Sequence, residues 1–153
     1  MKQLPYINQS EGIIGYSESV IAKSETNDCF VRAVASSFDV PYDDAHAWVK
    51  HKFDRKDRKG TRWVSSKLAT MQTNGETFND RKISGIENLR SYDVVNRKMK
   101  RTTLNQFIKK YSTGTYILIV RGHAFTLKNG SVIGNKSDAT SMKKIVHEAF
   151  EII

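Results

Sequence analysis

TYILIVRGHAFTLKNGSVIGN, residues 115–135, sets the pattern of the last third of the chain. TYILIVRG (115–122) is rich in β-branched and aromatic residues and reads as a strand. HAFTLKNGSVIGN then reads as a hairpin, two β-rich runs joined around Lys128-Asn129-Gly130. Asn-Gly suits such a turn because both residues tolerate the left-handed backbone that a tight hairpin demands. Further on, KKIVHEAFEII (143–153) nearly alternates and predicts a final strand. The C-terminal part is therefore expected to be an antiparallel sheet.

Upstream of this block the period changes to that of a helix. CFVRAVASSF (29–38) places Phe30, Val31, Val34 and Phe38 on one stripe, with Asn27 or Asp28 as the cap and an end near Asp39, before Pro41. A second helix opens at Pro41. Asp43 and Asp44 suit its positive end, and Ala45, Trp48, Val49 and Phe53 form its apolar side. RWVSSKLATMQ (62–72) reads as a third helix closed by Asn74-Gly75, and TTLNQFIKKY (102–111) as a short fourth. Between them, residues 76–101 are polar, with short strands expected near Lys82–Ile86 and Tyr92–Val95. Residues 1–24 read as a loosely structured N-terminal segment with one short strand around Gly12–Tyr16. Helices first and an antiparallel sheet last is an α+β layout, expected to form one domain over residues 1–153.

Composition narrows the function classes. With 39% hydrophobic and 27% charged residues, the 153-residue chain is that of a globular domain able to bury a core without staples. One cysteine, Cys29, excludes an internal disulfide and favours a reducing compartment. The four histidines show no zinc-ligand pattern, and His46 and His51 are five apart, off the spacing that shares a helical face. No metal or cofactor is expected. No apolar run approaches the ~20 residues that span a bilayer. The N-terminus lacks the order of a signal peptide, and the expected location is the cytoplasm, with no membrane partner. The net charge is +9, from 25 basic and 16 acidic residues. It concentrates at 50–62 and 97–101 and would draw nucleic acid or an acidic protein. Asp54 and Asp57 interrupt the first stretch, and base-stacking aromatics are not interleaved with it.

Cys29 stands at a predicted helix start, where the exposed amides favour a thiolate over the thiol, whose ordinary pKa is about 8.5. A thiolate also needs a neighbouring imidazolium. His123, held by the sheet within RGHAF, is the best-placed histidine. A third group must orient the ring. Asn135, on the far arm of the hairpin, is the expected partner, and Asp138 is the alternative.

A cysteine at a helix start followed by histidine and asparagine on successive strands resembles the papain-like cysteine peptidases. Within them, the chain is similar to small domains encoded by bacteriophages and some bacteria. The shared blocks are Asn27-Asp28-Cys29 through Ala33, Thr103-Leu104 through Ile108, and Gly122-His123 through Asn135. The cysteine block is also similar to that of ovarian-tumour-type deubiquitinases, but Phe125 stands where those enzymes carry their acidic partner. The papain-like resemblance implies a papain-like fold and a cysteine peptidase or isopeptidase. Cys29 would be the nucleophile, His123 the base and Asn135 the orienting group, acting on a protein or peptide substrate in a host cytoplasm. The glutamine that papain-like enzymes place upstream of the cysteine is replaced by Lys23. Asn27 and the Cys29 amide are therefore the expected oxyanion donors. The alternative expectation is a silent scaffold whose basic surface binds nucleic acid or an acidic protein.

Overall fold

The computed structural model describes residues 4–140 and 143–153, so the first three residues of the expected N-terminal segment lie outside it. The elements run β1 (Tyr6–Ile7), α1 (Gln9–Gly12), α2 (Val20–Lys23), α3 (Cys29–Phe38), α4 (Tyr42–Lys52) and α5 (Val64–Thr73). Then follow β2 (Thr77–Phe78), β3 (Arg81–Gly85), β4 (Arg90–Asp93), β5 (Lys98–Arg101) and α6 (Leu104–Lys110). The chain closes with β6 (Thr115–Val120), β7 (His123–Lys128), β8 (Ser131–Ile133), a 3-10 turn (Lys136–Ala139) and β9 (Glu148–Ile152). Among the described residues the fold is α+β, with six α-helices, a seven-stranded sheet and a separate two-stranded one.

The large sheet has the order β1-β8-β7-β6-β9-β3-β2. It is mixed rather than purely antiparallel, because β1 joins the edge of β8 in parallel, Tyr6 beside Val132. Two further strands, β2 and β3, come from the middle of the chain. The strand expected at Gly12–Tyr16 does not form. The pairing segment lies earlier, at β1, and Asn8 then starts α1 by accepting from the Ser10 amide. Gly12 instead lies tight against β8, where a Cβ would come within 2.6 Å of Ile133 Cγ2.

Strand β6 shows why its near-continuous apolar run is needed. Ile117 and Ile119 face the cluster formed with α3, α4 and α5, while Tyr116, Leu118 and Val120 face the one formed with α6. A strand covered on both sides must be apolar at every position. The predicted Asn-Gly turn is present, with Lys128 paired to Ser131 and positive φ at Asn129 (47°) and Gly130 (80°).

Helix α3 buries Phe30, Val31, Val34 and Phe38, as its stripe predicts, and ends on left-handed Asp39. Its start departs from expectation. Asp28 makes no capping hydrogen bond; its carboxylate accepts from the Tyr42 hydroxyl at 2.7 Å and pairs with Arg32. The first-turn amides are thus left without a side-chain cap. Helix α6 carries a full capping box between Thr103 and Gln106.

Helix α3 runs alongside β7 in a register fixed at several points. Lys128 Nζ donates to Asp39 at 2.6 Å. Thr126 Oγ1 donates to the Ala33 carbonyl at 2.9 Å and accepts from Ser36 at 2.7 Å. The two Thr126 bonds are buried, so their partners lack water as a substitute. The same register brings the first residue of α3, Cys29, to the first residues of β7, His123 and Ala124.

Beyond β3, the strand expected at Tyr92–Val95 forms two residues earlier, as β4. It pairs with β5 in an arm of its own, and Val94 and Val95 lie exposed in its turn. No helix of the described residues is long and apolar enough to cross a membrane.

Candidate active site

His123 is bonded to both Cys29 and Asp138. The His123 imidazole bonds Asp138 Oδ2 through Nε2 at 2.9 Å, leaving Nδ1 as the ring nitrogen free for the thiol. Both Cys29 and His123 line a cleft of about 430 Å³, whose apolar wall is Phe30, Trp63, Val64 and Ile119.

The electrostatics favour a charged pair. Burial resists ionisation of the Cys29 thiol, but the hydrogen bond with His123, the Ala124 amide and the charges of His123 and Arg32 together pull its pKa down. His123 is pushed up to about 9 by its bond to Asp138, then by Cys29, against the opposing effect of burial. Burial also opposes the charge on Asp138, yet its bond to His123 holds it below the ordinary carboxylate value. Thiolate, imidazolium and carboxylate each stabilise the next.

Asp138 is well held. Its Oδ2 also accepts from the Asn135 amide at 2.8 Å and its Oδ1 from Lys144 Nζ at 3.2 Å. Gly134 makes room for it, since a Cβ there would lie 2.7 Å from Oδ2 and 2.9 Å from Phe125 Cβ. The Tyr6 hydroxyl fixes the Gly134 carbonyl at 2.9 Å, so β1 supports the same corner.

Two expected roles are corrected. Asn135 is not the partner of His123. The register pairs Thr126 with Ile133, and extending it sets residue 135 opposite Ala124 rather than His123. The Asn135 side chain accepts instead from Arg32 Nη1 at 2.9 Å and from Gln9 Nε2 at 3.4 Å. The 3-10 turn returns Asp138 to the ring. Asn27, expected as an oxyanion donor, is engaged elsewhere. Its exposed amide donates to the Arg58 carbonyl at 3.1 Å, and its backbone is left-handed, with φ 53°. The Cys29 amide, at the uncapped start of α3, remains as a donor.

Arg32 and Gln9 belong to the site but are not visible in the cysteine and histidine motifs. Arg32 Nη1 bridges Gln9 Oε1 and Asn135 Oδ1, both at 2.9 Å, and so ties α1 and the β8 end to α3. Arg32 could have been suspected from its place one turn after Cys29. Nothing local marks Gln9, because β1 pairing brings it there.

The segment before Cys29 is clasped by a second network. Glu25 accepts from Arg55 at 2.9 and 3.1 Å and from the Arg58 amide at 2.8 Å, and it also bonds His46. Arg55 is fully buried. Burial alone would raise the Glu25 pKa, but these bonds, that to Arg55 foremost, bring it down to about 2. Glu25, His46 and Asp57 present ligand-type atoms within 4.8 Å of one another. A cation there would sit against the Arg55 guanidinium, so the arrangement suits an ion-pair clasp rather than a metal centre.

On the other side of His123 lies a second cleft of about 530 Å³, lined by Arg101, Arg121, Asp138, Lys144 and His147 among others. Val120 and His123 belong to both clefts. No protein-family model, no curated protein and no solved structure matches the chain.

Proposed function

We propose that the chain is a cysteine hydrolase of papain-like layout, cleaving an amide or peptide bond through an acyl-thioester on Cys29. The observation that carries this reading is His123 held between Cys29 and a buried carboxylate, with both its partners shifted toward the charged state. The order of cysteine on a helix start and histidine on a strand supports the papain-like assignment.

In the first step the Cys29 thiolate adds to the carbonyl carbon, and the carbonyl electron pair moves onto oxygen. The Cys29 amide, aided by the positive end of α3, meets that oxyanion. The intermediate collapses, the C–N bond breaks, and the His123 imidazolium gives its proton to the leaving nitrogen. Neutral His123 then takes a proton from water as the water attacks the thioester, which releases the acid and restores the thiolate. Asp138 keeps the ring oriented throughout. Cys29→Ala is expected to abolish hydrolysis of a peptide mixture while leaving the circular dichroism spectrum unchanged. Equal hydrolysis by the variant contradicts the reading.

A second reading rests on the β4–β5 arm, where Tyr92, Val94, Val95 and Met99 are exposed beside Arg97, Lys98, Lys100 and Arg101. As a scaffold, the chain would bind nucleic acid or an acidic protein there. Salt-sensitive affinity for an oligonucleotide that survives Cys29→Ala supports it, and absence of binding at about 50 mM salt removes it.

A further inference from the structure

We propose that the cleft beyond His123 binds a carboxylate on the leaving-group side of the scissile amide, an inference that rests on the hydrolase reading above. The acyl carbon becomes bonded to Cys29 Sγ, so the acyl part of a substrate occupies the cleft that holds the thiol. The leaving nitrogen receives its proton from His123, so the amine part departs past the imidazole. The cleft on that side contains His123 but not Cys29.

Its chemistry differs sharply from that of the acyl side. Arg101, Arg121 and Lys144 line it, and Asp138 is its one acidic residue among the described residues. That carboxylate is already shared by His123, Lys144 and the Asn135 amide. Arg101 and Arg121 are exposed, and neither has a hydrogen-bond or ion-pair partner among the described residues. Guanidinium groups left open in this way present a fork of donors that matches a carboxylate. Their positions are set by the backbone. Arg121 sits in the tight turn between β6 and β7, where Gly122 supplies the positive φ of 68°, and Arg101 ends β5.

The carboxylate has two sources, an aspartate or glutamate side chain after the scissile bond or the free C-terminus of a short leaving peptide. A random synthetic peptide mixture, prepared with free-acid and with amidated C-termini, separates them. Cleavage sites are mapped by mass spectrometry for the wild type, Cys29→Ala and the double variant Arg101→Gln/Arg121→Gln. We expect Cys29-dependent cleavages to be enriched about tenfold in a carboxylate on the leaving side, the scale of one charge-assisted hydrogen bond. Enrichment that survives amidation identifies a side chain, and enrichment lost on amidation identifies the chain end. The double variant should still cleave, with the preference reduced, and should react with neutral iodoacetamide at the wild-type rate. Cys29-dependent cleavage without enrichment, or enrichment unchanged in the double variant, overturns the inference alone. Absence of any Cys29-dependent cleavage overturns the hydrolase reading, and the inference with it.

Discussion

At the residue scale the candidate site turns on the His123 imidazole. Asp138, not Asn135, orients it, and the two residues predict different phenotypes. Asp138→Ala should lower kcat/KM by about tenfold to a hundredfold, the usual range for losing a group that positions a general base. Asn135→Ala should change it far less, because Asn135 contacts Arg32 and Gln9 rather than the ring. Equal losses in the two variants would contradict this division. The pH dependence follows from the same bond. His123 is held near 9, above its ordinary 6.5, so its stabilising contribution is complete below 6.5 and is lost as pH rises through about 9. In the proposed mechanism protonated His123 is also the acid for the leaving group, so hydrolysis should decline over the same upper range. A profile that stays flat past pH 10 would contradict it. Asp138→Asn removes the carboxylate charge and should move that alkaline limb to lower pH.

At the scale of elements, what places Cys29 is the contact of α3 with β7 and the clasp on the segment before it. Glu25→Ala would leave the fully buried Arg55 guanidinium without its carboxylate. Breaking a buried pair in this way costs ~3–5 kcal/mol, which denaturant unfolding measures directly. A loss within ~0.5 kcal/mol would show that the clasp is not needed. In the wild type, the folded Glu25 pKa of about 2 lies below the ordinary 4.5, so its contribution is present above 4.5 and fades as pH falls toward about 2. These long-range partners were the least legible part of the sequence. Helices α3, α4, α5 and α6 and strands β6 to β8 follow from local periodicity and turn residues. Glu25 and Arg55 are joined only by folding, as are Gln9 and Arg32, and no local pattern reports such a meeting.

At the scale of the whole molecule, the α+β layout, the cysteine and the histidine were readable, because a helix start, a strand run and an Asn-Gly turn are each local signals. The sheet order was not. β1 is short and only its pairing with β8 defines it, while β3 forms where a strand was expected near Lys82–Ile86 but its place beside β9 had no local signal. The third site residue, Asp138, was legible only as the alternative to Asn135, for a related reason. Counting along the hairpin favoured Asn135, while the 3-10 turn after β8 carries Asp138 back to the ring. The charge of +9 also resolves differently in space, since Arg55 is buried in a clasp, whereas Arg101 and Arg121 open onto the cleft beside His123. All these elements converge on one claim, a thiolate at Cys29 stabilised by His123. The most direct measurement is the rate of Cys29 alkylation by iodoacetamide from pH 4 to 9, followed by intact mass, for the wild type and His123→Ala. Fast labelling well below pH 7 that is lost in His123→Ala is the predicted result. Labelling that rises only near the ordinary thiol pKa of about 8.5 in both proteins would contradict the account.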